Sequence, residues 1–262
     1  CIGRESKPLF EGRCIYGVFL HPDGTVIDDA IVYQLQVEEY MVVVNAGMGG
    51  KIAALLLESA QEGIAVENLT DAVGKMDIQG PKSALILRKI IKDADVLFEK
   101  LLYFSFKGGF GSCISKVPIT LIDGTSVLVS RTGYTGEFGF ELFVEIDHLP
   151  SLWNHLLEAG REYGMLACGL AARDSLRAGA VLPLSHQDIG PWPFLSNPWQ
   201  FALPWKDDGR GFSKDFVGAD ALLEETETEH TLPFAGFDPR KIAVSHSTCV
   251  ILPSGEKIGK IL

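Results

Sequence analysis

A glycine-rich connection between two apolar segments constrains the fold of this chain most. Residues 130–141 read SRTGYTGEFGFE, between the apolar runs 127–129 and 140–144. This arrangement predicts two strands with a tight turn between them, because glycine adopts the positive φ angles that such turns use. Tyr134 adds a ring face and Glu141 an acceptor-only carboxylate. The segment is either an ordinary β-hairpin or a hairpin that also binds a planar ligand.

A second predicted hairpin carries two consecutive acids. Residues 13–20 and 25–35 are largely apolar, and the turn residues 21–24 join them. Asp28 and Asp29 lie in the second strand, where alternation sends their side chains to opposite faces. Two interpretations stay open. Either one acid is solvated while the other caps a turn or accepts backbone N–H groups, or one lies in a cleft and influences a nitrogen nucleophile.

Strand and helix signals alternate through the rest of the chain. We predict strands over residues 39–45, 66–69, 74–79, 102–106, 117–122 and 126–129, and helices over 47–62, 83–91, 93–101, 148–163 and 171–178. Gly47 and Gly49 resemble the start of a dinucleotide fingerprint, but Ile52 is too large for its third position, so we predict a strand-to-helix turn. Residues 107–112 lack the ending of a phosphate loop and predict a flexible connection.

These signals predict an α+β fold with mixed antiparallel sheets and packed helices in two or three lobes around a central cleft, and a β-rich C-terminal part. The expected divisions are an N-terminal α+β lobe over residues 1–70, a second α+β lobe over 71–225, and the start of a β-barrel-like domain over 226–262.

Two further segments carry side chains that suit a ligand site. Residues 190–199 combine three prolines with three aromatics and predict a rigid loop that either walls a pocket or fills a gap between lobes. The segment GLAARDSLR at 169–177 predicts a helix. Arg173 and Arg177 share a face of that helix, which either binds an anion or faces solvent.

The composition argues against several classes of function. A net charge of −11 and a pI near 5.0 disfavour nucleic acid or an anionic membrane as a partner. No uninterrupted apolar run reaches about 18 residues. Scattered cysteines without CxxC pairing are typical of reduced thiols, and the histidines lack paired metal-ligand spacing. We expect a soluble globular protein of the cytoplasm, or of the mitochondrial matrix in a eukaryote, without a catalytic metal.

The two motifs together resemble a known family. Residues 130–141, with GLAARDSLR downstream, are similar to the glycine-cleavage T-protein (aminomethyltransferase) family of tetrahydrofolate-dependent enzymes. The resemblance continues, in the family's order, through the segments GVFLHPDGTVIDDAIVY, MVVVNAG, DIQGPK, YFSF and DFVGADAL. It implies that the central cleft binds folate. Family members normally extend beyond the stretches that match Cys1 and Leu262, so we expect both ends of this chain to be shortened.

The resemblance also implies a set of site residues. Asp29 matches the catalytic aspartate, which lies beside the reacting folate nitrogen. Glu141 matches the pterin-binding glutamate, and Arg173 is implied to bind the folate or to orient that carboxylate. The positions that resemble the lining of the folate cavity are Tyr134, Tyr103, Tyr16, Tyr33 and Asn45.

The implied function is transfer of a one-carbon unit to tetrahydrofolate. In the T-protein family the donor is an aminomethyl group on the lipoyl arm of a carrier protein, so the implied partners are folate, a one-carbon donor and that carrier. Two departures leave the donor open: Phe138 replaces the acid that usually follows TGE, and residues 191–199 replace a more polar segment.

Two alternatives therefore stand beside the aminomethyltransferase. One is a folate-dependent demethylase or methyltransferase that acts on a small O-, S- or N-methyl compound. The other is a non-catalytic folate-binding protein, like the relatives that assist iron–sulfur cluster assembly. Those relatives carry a Lys-Gly-Cys-Tyr-type motif where this chain has residues 214–218, KDFVG. The missing cysteine, together with the retained Asp29, favours an enzyme.

Overall fold

The first sheet is built by the predicted N-terminal hairpin and the strand that follows it. The structure, a computed structural model, describes residues 9–225, 229–235, 244–245 and 247–262. Its first three strands are β1 (Cys14–Leu20), β2 (Val26–Gln36) and β3 (Glu39–Val44), antiparallel in that order. The turn between β1 and β2 closes where the Gly24 amide donates to the carbonyl of His21 at 2.9 Å, with Gly24 at φ 78°. This register places Asp29 opposite Val18.

The second sheet contains the glycine-rich hairpin. Its strands are β4 (Val73–Gln79), β5 (Phe106–Phe110), β6 (Cys113–Ile114), β7 (Leu128–Ser130) and β8 (Gly139–Glu145), in the antiparallel order β4-β8-β7-β5-β6. Residues 131–138 connect β7 to β8, and Ser130 pairs with Glu141. Glu141 therefore lies on a central strand of the sheet, directly opposite Asp77 of β4.

Six helices and one short hairpin complete the described part of the chain. The helices are α1 (Gly49–Ser59), α2 (Ser83–Ile90), α3 (Ala94–Phe98), α4 (Leu149–Gly160), α5 (Leu170–Gly179) and α6 (Ala219–Glu224), and the hairpin pairs β9 (Cys249–Ile251) with β10 (Lys257–Lys260). Antiparallel sheets with helices packed on them confirm the predicted α+β class.

Three apolar clusters hold these elements together. The first packs α2 and α4 on the five-stranded sheet, with Leu87 and Leu152 fully buried. The second fills the space between the two larger sheets around Tyr33 and Phe143. The third joins β1 to the proline- and aromatic-rich loop, where Phe194 is fully buried. Burying such large apolar side chains contributes roughly 1.5–3 kcal/mol each, so the two sheets are firmly attached to each other.

The prediction of a flexible connection over residues 107–112 is wrong. These residues form most of β5 and its turn into β6. A Cβ atom on Gly108, which has φ +90°, would lie 1.9 Å from the carbonyl oxygen of Val127, and one on Gly109 would lie 2.5 Å from that of Cys113. The glycines are required because neighbouring backbones approach closely, and they do not loosen the chain.

Three other strand predictions are wrong in whole or in part, and one of these segments, residues 117–122, forms only isolated bridges at Thr120 and Leu121. Residues 66–69 are irregular, since no described strand lies alongside them and Glu67 and Asn68 are exposed. The strand predicted over 102–106 begins only at Phe106, because residues 103–104 form a turn.

The Gly47–Gly49 segment forms the predicted strand-to-helix turn. It joins β3 to α1 after an antiparallel pair, so no βαβ unit surrounds it. A Cβ atom on Gly49 would lie 2.0 Å from Thr70 Oγ1, so this glycine allows the start of α1 to pack closely on a neighbouring loop. Of the predicted domain boundaries, the one at 226 lies outside the described residues, and the one at 70 stays a prediction. Among the described helices, none has both the length and the apolar character needed to cross a bilayer.

Candidate active site

A cavity of about 2220 Å³ is lined by both larger sheets and the loops around them. All but one of the predicted site residues line it, namely Asp29, Asn45, Tyr16, Tyr103, Tyr134, Glu141 and Arg173. They come from β1, β2, β8, α5 and three connecting segments, so the fold gathers side chains that are far apart in the sequence.

Tyr33 is the exception, and its expected place in the cavity is corrected. Its side chain lies on the same face of β2 as Asp29, four residues along, where the five-stranded sheet covers the strand. The ring is fully buried and packs edge-on against Phe106 at 5.2 Å and Phe143 at 5.8 Å. Burial raises the pKa of its hydroxyl well above the ordinary value. Tyr33 therefore supports the cavity floor from within the core.

Asp29 is held in the cavity by neutral donors. The Tyr16 hydroxyl donates to Asp29 Oδ2 at 3.0 Å, and Asn45 Nδ2 donates to Oδ1 at 2.5 Å. Burial raises the pKa of Asp29 above its ordinary value, and the hydrogen bonds from Asn45, Tyr16 and Ser185 only partly oppose this effect. The carboxyl group therefore keeps its proton to a higher pH than an exposed aspartate does.

Asp28 is fully buried, and its carboxylate lies close to that of Asp29, since Asn45 Nδ2 contacts Oδ1 of both. It accepts hydrogen bonds from the backbone amide of Asn45 at 3.1 Å, from Asn45 Nδ2 at 2.8 Å and from Ser185 Oγ at 3.2 Å. His186 Nε2 lies 3.1 Å from the same carboxylate. Asn45 therefore contacts both acids and fixes their relative position. Neither acid is freely solvated, so the interpretation of one solvated acid is wrong.

A cluster of charged side chains surrounds Glu141, which is 5% exposed. One carboxylate oxygen accepts from Lys75 Nζ and the other from the Thr132 hydroxyl. Lys75 Nζ also lies 3.2 Å from Asp77 Oδ1, and Arg173 Nε lies 3.8 Å from Asp77 Oδ2. The side chain of Lys75 keeps 33% exposure because it faces the cavity.

The pKa values of the two opposed carboxyls move apart. Burial alone would raise the pKa of Glu141, but the Lys75 ammonium and the hydrogen bonds from Lys75 and Thr132 outweigh burial and hold it below the ordinary value. Burial, with the adjacent Glu141 charge, raises the pKa of Asp77 despite Lys75. Two adjacent carboxylates that are largely removed from water repel each other. Glu141 is therefore the ionised member of the pair, and Asp77 binds a proton first.

Arg173 and Tyr134 contact each other at the edge of the charged cluster around Glu141. The Arg173 guanidinium lies 4.5 Å from the centroid of the Tyr134 ring, a cation–π contact. Burial raises the pKa of Tyr134 to about 12, so its hydroxyl keeps its proton and donates to the carbonyl of Pro183. Arg177, predicted to share a face with Arg173, is buried and pairs with Asp174 and Asp188, so it stabilises the fold outside the cavity.

The loop over residues 190–199 serves both of the uses considered for it. Phe194 fills the core cluster beside β1. Trp199 lines the cavity and packs edge-on against Tyr16, with ring centroids 5.0 Å apart. Phe201 lies 6.4 Å from Tyr16 and also lines the cavity. An aromatic wall, defined here as Tyr16, Trp199 and Phe201, thus borders Asp29.

Sequence reasoning missed the side chains that hold Glu141 and its loop. Lys75, Asp77 and Gln79 share one face of β4, and this alternation was a usable signal. Gln79 Nε2 donates to the carbonyl of Phe140 at 3.2 Å, and a Cβ atom on Gly133 or Gly139 would lie 2.3 or 2.1 Å from Gln79 Oε1. Those two glycines leave room for the Gln79 amide, which positions the connection before Glu141.

Comparison with known proteins places this chain in a protein family. Residues 3–199 match the family model described as GCVT N-terminal domain. The chain belongs to this family. Curated relatives in the family include an aminomethyltransferase of Alkaliphilus metalliredigens, 33% identical over 98% of this chain, and one of Thermotoga maritima, 32% identical over 99% of it. The chain spans 66% of the length of each.

A solved structure supports the same assignment. The glycine cleavage system aminomethyltransferase T of Bartonella henselae is 30% identical and superposes with a TM-score of 0.64. The match covers 82% of this chain and 53% of that chain. The family recognised from the motifs is confirmed, and so is the fold that the resemblance implied.

Proposed function

We propose that this chain is a tetrahydrofolate-dependent one-carbon transferase of the aminomethyltransferase type. The observation that carries the proposal is that one cavity contains both Asp29, with its raised pKa, and an ionised Glu141. The curated relatives, named aminomethyltransferases, support the same function.

The residues around Glu141 fit the pterin ring of a folate. A carboxylate offers about four acceptor positions, of which Lys75 and Thr132 use two. The remaining positions suit the adjacent N–H donors along one edge of the pterin. Hydrogen bonds to an ionised group contribute on the order of 1.5–3 kcal/mol each, so the charge that Lys75 maintains on Glu141 strengthens binding.

Asp29 is the group that we assign to the chemical step. Tetrahydrofolate, when bound, supplies the nitrogen that accepts the one-carbon unit. The Asp29 carboxyl, oriented by Tyr16 and Asn45, holds or accepts a proton beside the reacting centre. A raised pKa suits this task because the group then exchanges its proton nearer to neutral pH. Arg173 and Tyr134 orient the bound ring.

The proposal also concerns the identity of the one-carbon donor, for which there are two candidates. An aminomethyl group carried by a lipoyl protein is the first candidate, since the relatives are aminomethyltransferases. A demethylase or methyltransferase is the second candidate, because the aromatic wall beside Asp29 suits a compact apolar methyl donor. The proposed location is the cytoplasm, or the mitochondrial matrix in a eukaryote.

Calorimetric titration with tetrahydrofolate tests the folate site. We expect binding to the wild-type chain and a loss of about ten-fold or more, about 1.4 kcal/mol, in Glu141→Gln. Glu145→Gln, on the exposed end of the same strand, is the matched control and should bind like the wild type. Formation of a one-carbon folate from each donor class, followed by mass spectrometry, then distinguishes the two candidates. A folded wild-type chain that does not bind tetrahydrofolate would contradict the proposal.

A further inference from the structure

The loop after α5 brings two polar side chains to the buried carboxylate of Asp28. Ser185 Oγ donates to Asp28 Oδ1 at 3.2 Å, and His186 Nε2 lies 3.1 Å from the same oxygen. Ser185 lines the cavity, whereas His186 lies outside the cavity lining and has a side chain that is 51% exposed. Asp28 therefore connects a group inside the cavity with a group at the protein surface.

The backbone of this loop holds the histidine in place. Asp188 Oδ2 accepts a hydrogen bond from the amide of Leu184 at 2.9 Å and a second one from the guanidinium of Arg177. The turn that these contacts fix holds His186 at φ 60°, a left-handed conformation that residues with a side chain adopt only where the surrounding structure stabilises it. The position of the imidazole beside Asp28 is thus set by the fold.

The Ser185 hydroxyl lies within hydrogen-bonding reach of both acids, because it also contacts the carboxyl group of Asp29. A hydroxyl has one proton to donate and two lone pairs that accept. When Ser185 donates to Asp28, its contact with Asp29 requires Asp29 to be the protonated donor. A continuous path for a proton therefore runs through Asp29, Ser185, Asp28 and His186. Asn45 contacts both acids as well, but its amide only donates hydrogen bonds to them.

We propose that a relay of four groups returns to solvent the proton that Asp29 takes up while a ligand fills the cavity. The relay consists of Asp29, Ser185, Asp28 and His186, and the inference rests on the proposed function, in which Asp29 accepts a proton. Asp29 gives this proton to the Ser185 oxygen as the hydroxyl proton of Ser185 passes to Asp28. Asp28 then passes a proton to His186 Nε2. Asp29 ends as a carboxylate, Ser185 and Asp28 end unchanged, and the imidazolium of His186 releases a proton to water or buffer.

The other titratable groups around the relay do not offer the same exit. Burial raises the pKa of Tyr16, which donates to Asp29, and burial also raises the pKa of Tyr134 to about 12. Both phenols therefore keep their protons near neutral pH. Arg177 and Asp188 pair with each other. Histidine is the side chain best suited to exchange protons with solvent at neutral pH, and the relay ends on one.

The test compares single-turnover with steady-state formation of the one-carbon folate by the whole chain at low buffer concentration. The relay acts after the transfer. His186→Gln should therefore slow the steady-state rate by about ten-fold or more and leave the single-turnover rate within about two-fold of the wild type. Glutamine can still donate to Asp28 but carries no proton, so this variant separates a relay from a structural contact. His21→Gln, the same substitution at an exposed position outside the cavity, should change neither rate.

Added imidazole locates the defect along the relay. It should restore the steady-state rate of His186→Ala, because it replaces the exposed end, but not that of Ser185→Ala, where the break lies between Asp29 and Asp28. Three results would each overturn the relay and leave the proposed function intact: equal steady-state rates for the wild type and His186→Gln, equal losses in both kinetic regimes, or no restoration by imidazole. A folded wild-type chain that forms no one-carbon folate from either donor class would overturn both.

Discussion

Two carboxylates in one cavity, Asp29 and Glu141, are controlled in opposite ways. Both lie within strands and both are largely removed from water. Asp29 receives hydrogen bonds from the neutral donors Tyr16 and Asn45, and burial raises its pKa. Glu141 contacts the Lys75 ammonium, and its pKa is lowered although burial acts in the opposite direction.

The comparison indicates that, between two carboxyl groups that are both largely buried, the immediate neighbours decide the direction of the pKa shift. A carboxyl group that accepts hydrogen bonds from neutral donors alone keeps its proton to a higher pH, whereas one beside a cation stays ionised to a lower pH. The first behaviour suits the chemical step and the second suits recognition of N–H donors. Substitutions that convert one environment into the other therefore test the assignment of the two roles.

Asp29→Asn should have the largest effect on activity. The amide preserves acceptors for Tyr16 but cannot take up a proton, so we expect transfer of the one-carbon unit to fall by about 10²–10⁴-fold. Single-turnover formation of the one-carbon folate measures this, with the tetrahydrofolate dissociation constant expected to change little. Asp71→Asn, an exposed substitution outside the cavity, is the control. Retention of activity within about three-fold would exclude Asp29 from the chemical step.

The same variant tests the direction of the Asp29 pKa shift. A native pKa above the unfolded value of about 3.9 means that the folded chain binds this proton more tightly. The contribution of Asp29 to the free energy of unfolding is therefore highest below about pH 3.9 and declines as pH rises through the native pKa. Relative to the wild type, Asp29→Asn should become more stable as urea unfolding is moved from pH 4 to pH 8. A difference that shrinks over this range would contradict the raised pKa.

The substitution Lys75→Met should remove the cation that keeps Glu141 ionised and so distinguishes it from Asp29. Glu141 and Asp77 then face each other without the ammonium between them, and we expect a loss of about 2 kcal/mol in the free energy of unfolding at pH 7. This figure lies below that for a fully buried pair because a third of the Lys75 side chain is exposed. Lys116→Met is the matched control, since the Lys116 ammonium pairs with Glu11 but is 72% exposed, and it should cost less than about 1 kcal/mol.

The pH dependence of the Lys75 effect has a definite sign. The lowered pKa of Glu141 contributes stability above the unfolded value of about 4.3, and this contribution is lost as pH falls through the native pKa. The gap in stability between the wild type and Lys75→Met should therefore narrow as urea unfolding is moved from about pH 4.3 to lower pH, through the native pKa of Glu141. An equal gap at every pH would indicate that Lys75 acts through packing alone.

Local patterns predicted the parts of the site that depend on neighbours in the sequence. Alternation along the strand predicted that one of Asp28 and Asp29 faces a cleft, and the glycine-rich connection between two apolar runs predicted the hairpin that presents Glu141. The dependence of Glu141 on Lys75 was not visible in this way, because it follows from the pairing of β4 with β8 across 66 residues of sequence. The place of Tyr33 depends likewise on which sheet covers β2.

The glycines of β5 show the same limit of prediction from the sequence. Gly108 and Gly109 predicted a flexible segment from the sequence. The folded sheet shows instead that glycine is needed there because the backbones of Val127 and Cys113 approach closely. A glycine in the sequence indicates that a side chain is not tolerated. Whether a turn or a neighbouring backbone excludes that side chain depends on long-range pairing.

Asp77→Asn should have the smallest effect, and it tests directly which of the two opposed carboxyl groups, Asp77 or Glu141, carries the negative charge. Asp77 faces Glu141 across the strand pair and has a raised pKa, so an uncharged amide resembles its protonated form. We expect the free energy of unfolding to change by less than about 1 kcal/mol and tetrahydrofolate binding by less than about three-fold, whereas Glu141→Gln weakens binding by about ten-fold or more. Parallel calorimetry and urea unfolding of the two variants measure the contrast. If Asp77→Asn weakened folate binding as strongly as Glu141→Gln, Asp77 would carry the charge, and the fixed anion of the cavity would belong to β4 instead of β8.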